Sequence, residues 1–261
     1  MGMPVVIVAT GGMPVVDVTP IASMTPIKYG LPVTEAANGY GVAVTLVTDK
    51  SGLPVVFETI GAGAAFASLD LATARNATLS GDNLVATNTG TTSIDQGVRV
   101  ASSLGRTAGK YYFEVTMSVA ATGINRAVGI GTTSSTISGM GLSSLAVVGT
   151  MLGINGNICS NGVGALGSIG VVTAGQVMGV AADLDNRKIW FRRGATGNWN
   201  GNVSNNPTTN VGGIVVPAGT MVPFQTFGGV SGTAGTIFIS NFGASAFSGA
   251  VPSGFTAGWP A

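Results

Sequence analysis

Apolar and polar side chains alternate along Tyr111-Tyr112-Phe113-Glu114-Val115-Thr116-Met117, with Tyr111, Phe113, Val115 and Met117 on one face and Tyr112, Glu114 and Thr116 on the other. Successive strand residues point to opposite faces, so this pattern predicts a strand that is half buried. Ala127-Val128-Gly129-Ile130-Gly131 predicts a short apolar strand whose glycines permit a bulge or a close backbone approach. The apolar runs 177–184 and 188–191 flank Asp185-Asn186-Arg187, a hairpin signature, and Trp190 and Phe191 fall on opposite faces of the second run. Thr236-Ile237-Phe238-Ile239-Ser240 adds a further strand. Nowhere do twelve or more residues carry a clean helical stripe. Many short strands between Gly-rich turns, over roughly 195 residues, predict an all-β sandwich in one domain.

The first 60 residues follow a different rule. Gly-Met-Pro-Val occurs at 2–5 and 12–15, Gly-Leu-Pro-Val at 30–33 and 52–55, and the Pro-less Gly41-Val42-Ala43-Val44 lies between the last two. Each unit is a Gly turn followed by a few β-branched residues, and proline lacks the N–H a central ladder needs, so Pro4, Pro14, Pro32 and Pro54 are expected at strand starts or edges. About 60 residues of such units enclose little core. They read either as a loose β-rich tail or as an attachment segment whose strands pair with other subunits or a larger assembly. The second reading is preferred, because unpaired apolar edges invite aggregation. Gly61-Ala62-Gly63-Ala64-Ala65 reads as a flexible joint.

Composition narrows the function classes. Charged residues make up 8% of the chain and the net charge is +1, which excludes a nucleic-acid binder working through a basic face. The absence of histidine removes His bases and His metal sites. Cys159, alone and without a His partner, reads as a buried inert thiol. Mean hydropathy is +0.49, yet no run approaches the roughly 18 apolar residues of a spanning helix, so no membrane insertion is expected. Nor does the N-terminus carry a basic leader, so synthesis in the cytosol without an export signal is expected.

Candidate chemistry is sparse. Gly105-Arg106-Thr107-Ala108-Gly109-Lys110-Tyr111 superficially matches a phosphate loop. Its glycines are one residue too close, Tyr111 replaces the magnesium-binding Ser or Thr, and a strand follows instead of a helix. Asp183 and Asp185 share a strand face and converge either on a cation or Arg187, or simply form a hairpin turn with their carboxylates solvated or bonded to backbone, the preferred reading. The sandwich region offers six acids, Asp70, Asp82, Asp95, Glu114, Asp183 and Asp185. None forms the facing pair a glycosidase requires. Glu114 is expected to pair with an arginine such as Arg126 or Arg106. Trp199 sits in a polar loop with Asn198, Asn200 and Asn202. An aromatic face beside amides suits sugar stacking, and these four are the candidate ligand-binding residues; the alternative is a Trp199 folded back to cap the sandwich. The loops 132–146 and 198–210 are long enough to form a rim surface or subunit contacts.

Gly109-Lys110-Tyr111-Tyr112-Phe113-Glu114-Val115 resembles an early strand of SPRY domains, and Val128-Gly129-Ile130-Gly131 is similar to their next core strand. Gly153-Ile154-Asn155-Gly156-Asn157 resembles a short strand and turn of that family. The stretch 179–191 is similar to its central hairpin, and Asn241-Phe242-Gly243, Phe247 and Pro252-Ser253-Gly254-Phe255 to its closing segment. The resemblance covers about residues 66–261. It implies a bent two-sheet antiparallel β-sandwich of the concanavalin-like jelly-roll type, and a binding module using loops at one rim instead of an enzyme. The sparse charge and the repeat segment disfavour a eukaryotic-type regulatory adaptor. That combination, rich in Gly, Ser and Thr, is similar to virion proteins of tailed bacteriophages and prophages.

The expected organisation is therefore an anchor, 1–62, with Pro4, Pro14, Pro32 and Pro54 in its attachment units, followed by a SPRY-like sandwich, 63–261. The expected function is a non-enzymatic virion structural protein of the head-decoration, head-fibre, tail-fibre or spike type. Its expected partners are other virion proteins, a host-surface glycan and further copies of itself, with a trimer as the leading guess and no cofactor. The alternative is a lectin-like carbohydrate-binding module or polysaccharide-degrading accessory protein.

Overall fold

The computed structural model describes residues 66–91, 96–121, 126–137, 149–227 and 234–261, together with the backbone of three strands nearer the N-terminus. The chain divides into two compact units, Met1–Gly63 and Ala64–Ala261. In the first, β1 (Thr34–Ala37), β2 (Ala43–Thr48) and β3 (Pro54–Glu58) form an antiparallel sheet in the order β1-β2-β3. These strands begin within or just after the last three repeat units, and Pro54 opens β3 opposite Thr48, a position where its missing N–H is tolerated. They pair with one another within the chain. Pro4, Pro14, Pro32 and the 61–65 joint lie outside the described residues.

The second unit is a two-sheet antiparallel β-sandwich. One sheet orders β11 (Val163–Ser168), β10 (Asn157–Ser160), β9 (Gly149–Gly153), β8 (Ala127–Thr132), β15 (Met221–Thr226) and β6 (Gly97–Arg99). The other orders β14 (Ile214–Val215), β13 (Lys188–Arg193), β12 (Gln176–Asp183), β7 (Lys110–Val119), β16 (Ile237–Asn241), β5 (Val85–Asn88) and β4 (Ala77–Ser80). The short β17 (Thr256–Ala257) runs parallel to β7. The hairpin signal is met by β12 and β13, whose register places Asp183 opposite Lys188. Between the sheets, Phe113, Val115 and Met117 of β7 pack with Met178, Val180 and Ala182 of β12, Ile189 and Phe191 of β13, and Val128 and Ile130 of β8. Gly149 lets β9 lie close to β8, since a Cβ there would stand 2.5 Å from the Ile130 carbonyl oxygen.

The even-numbered face of β7 departs from the half-buried expectation. Tyr112 and Glu114 are buried, and Tyr112, Ala181, Trp190 and Phe255 form a second apolar cluster flanked by Trp199, Phe247 and Val251. The C-terminal segment 247–255 and the loop at Trp199 cover the outer face of the larger sheet, so its centre is buried on both sides. Trp190 and Phe191 do face opposite ways, Phe191 into the main core and Trp190 into this second cluster.

Candidate binding surfaces

Glu114 and Arg192 meet on that outer face. The Glu114 carboxylate accepts hydrogen bonds from the Tyr112 hydroxyl at 2.6 Å and from the backbone N–H groups of Ser248 and Gly249 at 2.8 Å each. Arg192 donates to the Tyr112 oxygen at 2.9 Å and to the Ala250 carbonyl at 2.7 Å. Burial and the bond to Glu114 push the Tyr112 phenol well above its usual range. This network fastens the 247–255 segment to the sheet. The carboxylate is thus held by Tyr112 and two backbone donors, in place of the predicted arginine. Arg106 instead donates to the Pro260 carbonyl at 2.8 Å.

The candidate sugar-binding residues divide. The Arg192 guanidinium carbon lies 4.5 Å from the Trp199 ring centroid, and the Tyr112 ring meets the indole edge-on at 6.4 Å. Trp199 is half-buried against Arg192 and Tyr112, as the capping alternative expects, and the ring face under the cation is not free for a sugar. Asn200 is 8% exposed. Its side-chain oxygen accepts from the Phe191 N–H at 2.8 Å, and its amide donates to the Ile189 and Gly212 carbonyls at 3.3 and 3.0 Å. The structure gives Asn200 an internal use, tying the loop to β13, in place of ligand contact. Asn198 and Asn202 are exposed, and the Asn202 oxygen closes a turn by accepting from the Ser204 N–H at 2.9 Å. Most of the 132–146 loop lies outside the described residues.

Carboxylates elsewhere hold backbone in the same manner. Asp70 accepts from the Ala72 N–H, Asp185 from the Gly109 N–H, and Asp183 from the Asn186 N–H. Asp183 also accepts from the Asn186 amide at 2.8 Å and pairs with Lys110 at 3.0 Å. Burial pushes its carboxyl upward, but the Asn186 donors and Lys110 outweigh that and hold it below its usual range. The hairpin-turn reading holds for this pair, with the difference that Asp183 is fully buried. Arg187 donates to the Val216 carbonyl at 3.0 Å. Among the described residues no cluster of three or more metal-ligating side chains occurs, and no helix is long and apolar enough to cross a membrane. Cys159 is buried and free.

Concavities also occur among the described residues. A cleft of about 340 Å³ lies between the β12–β13 turn, with Leu184, Asp185 and Arg187, and the segment 216–221. A second, of about 300 Å³, lies between β11 and β14 and is lined by Ser160, Asn161, Val163, Leu166, Ile214 and Val215. Sequence reading missed this groove, because its two strands are 46 residues apart from Ser168 to Ile214 and meet only where the edges of the two sheets converge.

Strand order, register and core define an all-β, two-sheet antiparallel sandwich whose buried acids are structural. Among solved structures, the SPRY domain of human HERC1 aligns with 66% of this chain and 96% of its own length, at 16% identity and a TM-score of 0.48. The TRIM65 PSpry domain aligns with 67% of this chain and 89% of its own, at 12% identity and a TM-score of 0.44. No family model matches the chain, and no curated protein matches it.

Proposed function

We propose that this chain is a structural component of a phage-type particle, in which the repeat segment 1–62 fastens the protein to head or tail and the sandwich is displayed as a non-catalytic interaction body. The observation that carries this reading is the surface around β11 and β14. No Asp, Glu, Lys or Arg occurs in 149–182 or 194–227, and valines stand exposed there. Permanent packing against neighbours suits such a surface better than life as a free monomer, where charge maintains solubility. The use of Asp70, Glu114, Asp183 and Asp185 on backbone donors supports binding over hydrolysis. Contact with neighbouring particle proteins is favoured over the lectin-like alternative, since one face of Trp199 lies under Arg192 and Asn200 is turned inward.

Negative-stain microscopy of particles from the producing host, with antibody against the sandwich, tests the proposal. Label on heads or tails is expected, and its loss on deleting residues 1–62. Particles that never carry label would sink it.

A further inference from the structure

We propose that Asn161-Gly162, the turn joining β10 to β11, is a self-modification site at which the asparagine cyclises onto the following backbone nitrogen and is converted to aspartate or isoaspartate. The reaction needs a free carboxamide, an unbonded N–H on the next residue, and no side chain crowding the attack. Glycine meets the last need because it has no Cβ. Asn161 and Gly162 are both exposed. Neither the Asn161 carboxamide nor the Gly162 N–H has a hydrogen-bond partner among the described residues. A Cβ built on Gly162 would meet nothing within 4 Å, so the space around that residue is open. The two residues have φ of 51° and 80°, the left-handed pair of a two-residue hairpin loop. Ring closure requires the turn to swing out of this conformation, and a loop without side-chain ties opens at small cost.

Two other Asn-Gly pairs among the described residues lack these freedoms, which separates the effect of structure from that of sequence. At Asn155-Gly156 the side-chain oxygen accepts from the Asn157 N–H at 3.1 Å, and the buried Gly156 donates its N–H to the Gly153 carbonyl at 2.8 Å. At Asn200-Gly201 the carboxamide is tied to Phe191, Ile189 and Gly212, and the Gly201 N–H donates to the Asn198 carbonyl at 3.1 Å. Asn38-Gly39 lies outside the described residues.

The Gly162 nitrogen gives its proton to solvent base and attacks the Asn161 Cγ. The new C–N bond closes an imide ring, and the Cγ–Nδ2 bond breaks as ammonia leaves with a proton from water. A second water opens the imide at either carbonyl. Nothing is oxidised or reduced, and water is the one co-reactant. The product is a carboxylate within 149–182, a stretch that holds no formal charge, and it takes the chain from +1 to neutral. It stands at the groove that Asn161 lines with Val163 and Val215.

Peptide mapping of the full-length protein tests this, in mildly alkaline buffer below its unfolding transition, with fragmentation to each residue. An isoaspartate-specific methyltransferase marks the rearranged product. Asn161 should gain one mass unit at least about tenfold faster than Asn155 and Asn200. In urea, where the ties are gone, the three should react at similar rates, and Asn161→Gln should remove the product at that position in both conditions. Folded protein whose Asn161 stays unmodified would overturn the proposal, as would Asn155 or Asn200 keeping pace with it. The same preference for Asn161 in urea as in buffer would also overturn it, by placing the selectivity in local sequence.

Discussion

Glu114 is 4% exposed and sits among three donors, of which the Tyr112 hydroxyl and the Gly249 N–H are buried. Removing its carboxylate strands the buried Gly249 N–H and the Tyr112 hydroxyl, and leaves Arg192 without a nearby anion. Glu114→Ala should therefore cost about 3 kcal/mol in urea unfolding, while Glu114→Gln, which keeps an acceptor, should cost about half of that. Trp199→Ala tests the cap reading in the same assay. A loss of about 2 kcal/mol is expected from the indole packed on Arg192 and Tyr112, and an unchanged midpoint would return Trp199 to the pool of ligand residues. Asp183 sets the response to acid. Its carboxyl lies below the ordinary range when folded, so its contribution is complete above about pH 4 and drains away as pH falls through the folded value. Tryptophan fluorescence followed into acid should show the parent chain losing stability there, and Asp183→Asn, weaker at neutral pH, losing less.

At the scale of elements, the alternation of β7 was legible because its side-chain period is two. The hairpin was legible because Asp185-Asn186-Arg187 interrupts two apolar runs. Burial of Tyr112 and Glu114 on the even face was not, since Glu114 looks solvent-facing until the 247–255 segment returns from far downstream to cover both. Asn200 misled for a related reason: an amide in an Asn-rich loop looks available, and only the fold supplies Phe191, Ile189 and Gly212 as its partners. The 247–255 segment depends on a close approach, because a Cβ on Gly249 would intrude on the Arg192 guanidinium and reach 3.0 Å from the Ala195 carbonyl oxygen. Gly249→Ala should loosen it by about 1–3 kcal/mol. Hydrogen exchange should then quicken across 247–255, with β8 through β10 keeping their protection.

For the molecule as a whole, two sheets with Phe227 stacked on Phe238 between them, ring centroids 5.3 Å apart, provide a core without assistance from metal or disulfide among the described residues. Several of its charged side chains are spent on backbone groups, among them Glu114, Asp183, Arg187 and Arg193. Low charge was visible from composition, but the use of the few charges on backbone groups needed the fold.

Phe66 pairs with Pro260, and the Ala67 N–H donates to the Trp259 carbonyl at 2.8 Å. The sandwich is therefore entered and left at a single corner. A tug between residue 66 and residue 261 would open that junction one bond at a time, like a zip, before any load reached the aromatic interior. Joining those two points by a short bridge and cutting the chain at the exposed Asn161-Gly162 turn should still yield a body that folds.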